Sequence, residues 1–130
     1  VRAEMTEKSN SFLIDSNIII YHLNGEKIAT DFLKKNLTYS FISRLTFIEV
    51  LSFDFTEKEK KDVTNLLNSF NIIDTSKDIA FKALENREKK KIKLADNIIA
   101  ATAQVNNLIL VTRNIKDFNN LNIQLLNIFE

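Results

Sequence analysis

Short apolar runs alternate along this chain with longer stretches whose apolar positions recur at helical spacing. Residues 12–15, Tyr39–Ile42, Asn71–Asp74, Leu108–Val111 and Ile123–Leu126 have the length and continuity of buried strands, the last of them an edge strand. Residues 17–23 and 27–35 read as helices parted by the Asn24-Gly25 turn. A helix over 44–53 follows Ser43 as its N-cap. Residues 58–69 set Val63, Leu66 and Leu67 on one face with charges opposite. Further helices are predicted over 76–90, with Ile79, Ala80, Ala83 and Leu84 on one side, and over 95–105, with Ile98, Ile99, Ala101, Thr102 and Val105 repeating. Strands alternating with helices imply βαβ units and a parallel sheet covered on both faces. Ligands of such sheets bind beyond the carboxyl ends of the strands, near the point where strand order reverses.

Against that pattern, a few acids stand in apolar company. Asp15 lies in Phe12-Leu13-Ile14-Asp15-Ser16-Asn17-Ile18-Ile19-Ile20, where Asp, Ser and Asn fall together at the centre. Burying a carboxylate is costly unless it is paired, hydrogen-bonded or bound to a metal. Glu49 in Thr46-Phe47-Ile48-Glu49-Val50-Leu51 and Asp96 in Leu94-Ala95-Asp96-Asn97-Ile98-Ile99-Ala100 share this setting. Taken singly, each has a plainer reading. Asp96 could cap its helix, Glu49 could be a helix-surface acid, and Asp117 in Asn114-Ile115-Lys116-Asp117-Phe118 could be a loop acid. Taken together, three acids at the edges of apolar segments suggest one site holding a hard cation.

Composition narrows the chemistry. The chain has 130 residues, 45% hydrophobic and 27% charged, which fits one globular domain with a substantial core. Residues 1–11 read as a polar N-terminal tail with Met5 a candidate start, and the domain as 12–130. No apolar run is long enough to span a bilayer, and no signal peptide is evident, so no membrane partner is expected. Cysteine is absent, which excludes thiol catalysis and Cys-ligated metals and fits a cytoplasmic protein. The single histidine, His22, excludes a multi-histidine zinc site. A metal would be held by oxygen, which points to Mg²⁺ or Mn²⁺. The net charge is +1, but Lys89, Lys90, Lys91 and Lys93 lead directly into the Asp96 segment. They read either as a solvated helix end or as a phosphate-contacting patch beside an acidic site.

Four segments in order resemble PIN-domain ribonucleases over roughly residues 12–126. Phe12–Ile19 resembles their opening strand with its Asp-Thr/Ser-Asn, and Ser43–Leu51 their second motif with its single Glu. Leu94–Ala103 resembles the third, and Leu110-Val111-Thr112-Arg113-Asn114-Ile115-Lys116-Asp117-Phe118 the fourth. The chain is most similar to the VapC-type toxins of type II toxin–antitoxin pairs. This resemblance implies an α/β domain with sheet order 3-2-1-4-5 and a Mg²⁺- or Mn²⁺-dependent endoribonuclease. It also implies an RNA substrate, a homodimer and a cognate antitoxin that inserts a segment near the acids.

By the same resemblance, Asp15, Glu49, Asp96 and Asp117 are the catalytic metal ligands, the fourth place open between Asp117, otherwise a loop anchor, and Asn114 binding through its carbonyl or a water; Asn17, Thr112 and Asn114 are the groups that would orient carboxylates or water. Some relatives carry an acid where this chain has Asn114, others three residues later at the position of Asp117. Relatives often place a glycine before the third motif, where this chain has Lys91-Ile92-Lys93. Arg113 and the lysines 89, 90, 91 and 93 would contact RNA phosphates, although Arg113 could equally hold the fold together. The competing reading is a catalytically silent PIN fold serving as an RNA-binding or protein-interaction module. Haloacid-dehalogenase-like phosphatases need Asp-x-Asp where Asn17 breaks the pair, and response-regulator receivers need two acids after their first strand.

Overall fold

The computed structural model describes residues 10–130. The N-terminal tail expected over 1–11 and the candidate start at Met5 lie outside the described residues, apart from Asn10 and Ser11. Five strands form one sheet: β1 (Phe12–Ile14), β2 (Ser40–Ser43), β3 (Asn71–Ile73), β4 (Ile109–Val111) and β5 (Leu125–Leu126). Their order is β3-β2-β1-β4-β5 and every pairing is parallel, the order the sequence resemblance implies. Helices connect them: α1 (Ser16–Leu23), α2 (Lys27–Asn36), α3 (Arg44–Leu51), α4 (Glu57–Asn68), α5 (Lys77–Lys89), α6 (Leu94–Asn106) and α7 (Ile115–Phe118).

Strand periodicity sorts the side chains into two cores. Phe12 and Ile14 of β1 pack with Ile18, Ile19, Leu33, Ile42, Val50 and Leu67 on the face covered by α1 to α4. Leu13, one residue out of phase, joins Ile99, Ala103, Leu110 and Phe118 on the face covered by α6 and α7. All three β1 residues are buried, as expected for a central parallel strand. The small residues Ala100, Ala101 and Ala103 are buried too and leave α6 little bulk to hold it off its neighbours.

Element boundaries follow local chemistry. Ser43 accepts a hydrogen bond from the Leu45 amide and caps α3, as its position before the helix predicts. Thr56 and Glu59 form a reciprocal capping box at the start of α4. The second strand begins at Ser40 instead of Tyr39, because Leu37–Tyr39 is wound into a short 3₁₀ turn. Residues Ile115–Phe118, expected as a polar turn, form the short helix α7, and Phe118 anchors it in the core. Helix α6 ends at Asn107, whose backbone is left-handed at φ 56°, a conformation asparagine tolerates better than most residues.

Candidate metal-binding site

Sheet order reverses between β1 and β4, and their carboxyl ends bring Asp15 and Thr112 together. Ile14 is in register with Val111, and the Asp15 amide donates to the Val111 carbonyl at 3.0 Å. One residue further along, Thr112 Oγ1 donates to Asp15 Oδ2 at 2.7 Å. The other carboxylate oxygen accepts from the Ser16 amide at 2.8 Å, so Asp15 also serves as the N-cap of α1. Asn17 Nδ2 reaches Asp15 Oδ2 and Thr112 Oγ1, each at 3.4 Å. The Asn114 amide donates to Thr112 Oγ1 at 3.0 Å, so the fourth motif supports Asp15 through one hydroxyl.

Burial dominates the electrostatics of Asp15, which is only 8% exposed. Loss of water pushes its carboxyl up from 3.8 to about 6, against the opposing bonds from Thr112 and Ser16. The negative charges of Asp96 and Glu49 push in the same direction. Asp96 is raised as well, first by desolvation, then by Asp117 and Glu49, with Lys93 acting in opposition. These mutual effects link all four predicted acids into one field of like charge.

Each acid arrives from a different element. Glu49 sits on α3 and accepts from Ser16 Oγ at 2.5 Å, which ties the second motif to the residue after Asp15. Asp96 lies in the first turn of α6, whose N-cap is Lys93; the capping role open to Asp96 is therefore not the one it takes. Asp117 is exposed on α7. Asn114 precedes α7 as its N-cap residue without using its side chain as a cap. As the side chains stand, no three His, Asp or Glu groups among the described residues converge closely enough to hold a metal ion.

The donor set nevertheless suits a hard cation. Every group around Asp15 offers oxygen, and the buried Asn17 Oδ1 has no hydrogen-bond partner. A buried acceptor left unpaired is expensive, so it calls for a water or a cation beside the Asp15 carboxylate. A divalent ion would also offset the charge that desolvation makes unfavourable.

The basic residues divide. Lys89, Lys91 and Lys93 are exposed, whereas half-buried Lys90 donates its ammonium to backbone carbonyls of the α7 segment. Arg113 stacks over Phe129 at 4.5 Å and Tyr21 at 5.1 Å, and these two rings meet edge-on at 5.1 Å. No carboxylate pairs with Arg113 among the described residues. Ser16 is the site residue that the motif reading left without a role. Its signal was its place inside the Asp-Ser-Asn run, since a hydroxyl has no periodicity to reveal it.

Comparison with known proteins gives a consistent picture. A model of the PIN domain matches residues 12–123. The chain is 34% identical over 116 residues to Ribonuclease VapC10 of Mycobacterium tuberculosis, covering 82% of this chain and 84% of that protein. It superposes on a toxin–antitoxin complex from Klebsiella pneumoniae with a TM-score of 0.83 and 36% identity, over 92% of this chain and 99% of that one. The FitAcB structure from Neisseria gonorrhoeae shares the fold at a TM-score of 0.80 and 23% identity, with 92% and 99% covered. With the fold, the ordered acids and these likenesses in hand, the chain belongs to the PIN domain family.

Proposed function

We propose that this protein is a divalent-metal-dependent endoribonuclease that hydrolyses phosphodiester bonds in RNA, and that it is the toxin of a type II toxin–antitoxin pair. The observation that carries the reading is Asp15: a buried carboxylate clamped by Thr112 at the sheet switch point, beside an unpaired Asn17 oxygen. Support comes from the ribonuclease relative at 34% identity and from the toxin–antitoxin complex at 36%.

In this reading Asp15, Glu49, Asp96 and Asp117 would hold Mg²⁺ or Mn²⁺. Such an ion supplies Lewis acidity toward a phosphoryl oxygen and lowers the pKa of an attacking water. The protein's part is orientation and charge. Thr112 and Ser16 fix both oxygens of Asp15, so the carboxylate presents one geometry. Ser16 also fixes Glu49, leaving its second oxygen available. Asn17 can accept a hydrogen bond from a water at Oδ1. Arg113, held over the Tyr21 and Phe129 rings, keeps donors available for a substrate phosphate. Lys89, Lys91 and Lys93 extend the positive rim along the route to Asp96.

We also propose a single PIN domain over residues 12–130, a cytoplasmic location, a cognate antitoxin and a homodimer. No described helix is long and apolar enough to cross a membrane. Leu84 and Leu94 stand exposed in the lining of a groove of about 600 Å³ between α5 and α6, which offers apolar surface for protein partners. Cleavage of a defined RNA panel with Mg²⁺, Mn²⁺ or EDTA tests the activity. Cuts that require the metal and vanish with EDTA support it. RNA binding without cleavage under every condition points to the silent module instead.

A further inference from the structure

Lys90 is the residue after α5, in a run that reads as a solvated helix end or a phosphate-contacting patch, yet its ammonium is bonded to protein oxygens. Its ammonium donates to the carbonyls of Lys116 at 3.2 Å, Asp117 at 3.1 Å and Asn119 at 2.9 Å, and to Asn119 Oδ1 at 3.0 Å. These acceptors belong to α7 and the residue beyond it. The short helix has unpaired carbonyls at its end, and a lysine there satisfies several at once. An ammonium offers three donors and no acceptor, so four oxygens around it form a cage.

The same end of α5 grips α6. Asn86, 2% exposed, donates to Asn97 Oδ1 at 3.1 Å and to Gln104 Oε1 at 2.8 Å. Asn97 in turn donates to the Ala83 carbonyl at 2.8 Å. The Lys90 amide closes the helix on the Asn86 carbonyl at 2.9 Å. Ala83, Asn86 and Lys90 of this segment therefore fasten both acid-bearing elements, α6 with Asp96 and α7 with Asp117.

We propose that Lys90 is a positioning residue: its ammonium, bonded to the Lys116, Asp117 and Asn119 carbonyls, holds the α7 backbone so that Asp117 can join the metal-binding acids. This rests on the reading of Asp117 as one of those acids. Lys90 thus acts on metal affinity, through Asp117, and not as a phosphate contact like its neighbours.

The test is calorimetric titration of Mn²⁺ into the metal-free full chain and into the Asp117→Asn, Lys90→Met and double variants, with RNA affinity measured separately in EDTA. Lys90→Met should weaken Mn²⁺ binding roughly 10-fold, the usual scale for a group that orients a ligand. It should leave RNA affinity in EDTA unchanged, and the double variant should bind Mn²⁺ no more weakly than Asp117→Asn alone. Wild-type Mn²⁺ affinity in Lys90→Met, beside a weakened Asp117→Asn, overturns the inference while leaving Asp117 a ligand. Wild-type affinity in Asp117→Asn overturns the reading of Asp117 and the inference with it. A loss of RNA affinity in EDTA for Lys90→Met makes Lys90 a phosphate contact and also overturns it. Should Lys90→Met fail to fold, Lys90→Ala refolded with propylammonium replaces it: restored Mn²⁺ affinity supports the cage, and a folded protein without restoration contradicts it.

Discussion

Asp15 combines low exposure with two strong hydrogen bonds, and burial still outweighs them. Its carboxyl is raised from 3.8 to about 6 in the metal-free fold, so the unfolded chain gives up this proton first as pH rises. Below about pH 4 both states keep the proton and Asp15 costs little. Between pH 4 and 6 the metal-free fold loses stability, and above 6 the loss is complete at about 3 kcal/mol. Asp96, raised for the same reason, adds to the trend. The difference in Tm between Asp15→Asn and wild-type protein should therefore widen in favour of the variant from pH 4 to 7 without metal; parallel curves would contradict the assignment. Added Mg²⁺ should raise the wild-type Tm more at pH 7.5 than at pH 5. Thr112→Val removes the bond that opposes desolvation and should cost 10- to 100-fold in metal affinity or activity, roughly the scale for such supports. Ser16 and Lys90 hold comparable posts that no pattern of apolar residues discloses, because a hydroxyl or a lysine in a polar run looks the same whether it faces water or a ligand.

The elements were more legible than the contacts between them. Apolar runs located β1 and β4, and helical spacing located α5 and α6, because a buried face imposes its period on the sequence, whereas the Ser43 cap located α3. The short helix α7 was hidden, since four residues cannot display a helical period and Phe118 alone marks its buried side. The strand β2 shifted by one residue because a 3₁₀ turn absorbed Tyr39. The capping box of α4 was visible as Thr56 followed three residues later by Glu59, a signal for starting that helix at Glu57 instead of Lys58. The α5–α6 packing rests on a buried amide cluster that apolar patterning cannot announce. Asn97→Leu should remove the second hydrogen bond on the Ala83 helix carbonyl and deprive Asn86 of one acceptor. Denaturant unfolding should register a loss of about 1–3 kcal/mol. A variant as stable as wild type would show that the cluster contributes nothing net.

At the scale of the molecule, the near-zero net charge conceals an arrangement. Asp15 ends β1 at the sheet switch point, Asp96 and Glu49 act on its charge, and Lys93 counters them at Asp96. Replacing Lys89, Lys91 and Lys93 together by Gln should raise the KM for RNA and flatten its salt dependence, while kcat stays near wild type. An unchanged salt slope would place RNA on another face. The sheet order followed from the family the motifs resemble; Asp15 and Asp96 stand out in the sequence at a strand end and in a first helical turn, and Glu49, in the last turn of α3, only through its motif. The way their partners converge could not be read, because it depends on side chains from separate elements. The most direct measurement of the central claim is single-turnover cleavage of a susceptible RNA in Mn²⁺ by wild-type and Asp15→Asn proteins, both shown to be folded. The metal-site account predicts that Asp15→Asn loses at least about 100-fold in rate, beyond the usual cost of losing a mere supporting group. Cleavage by Asp15→Asn at the wild-type rate would contradict it.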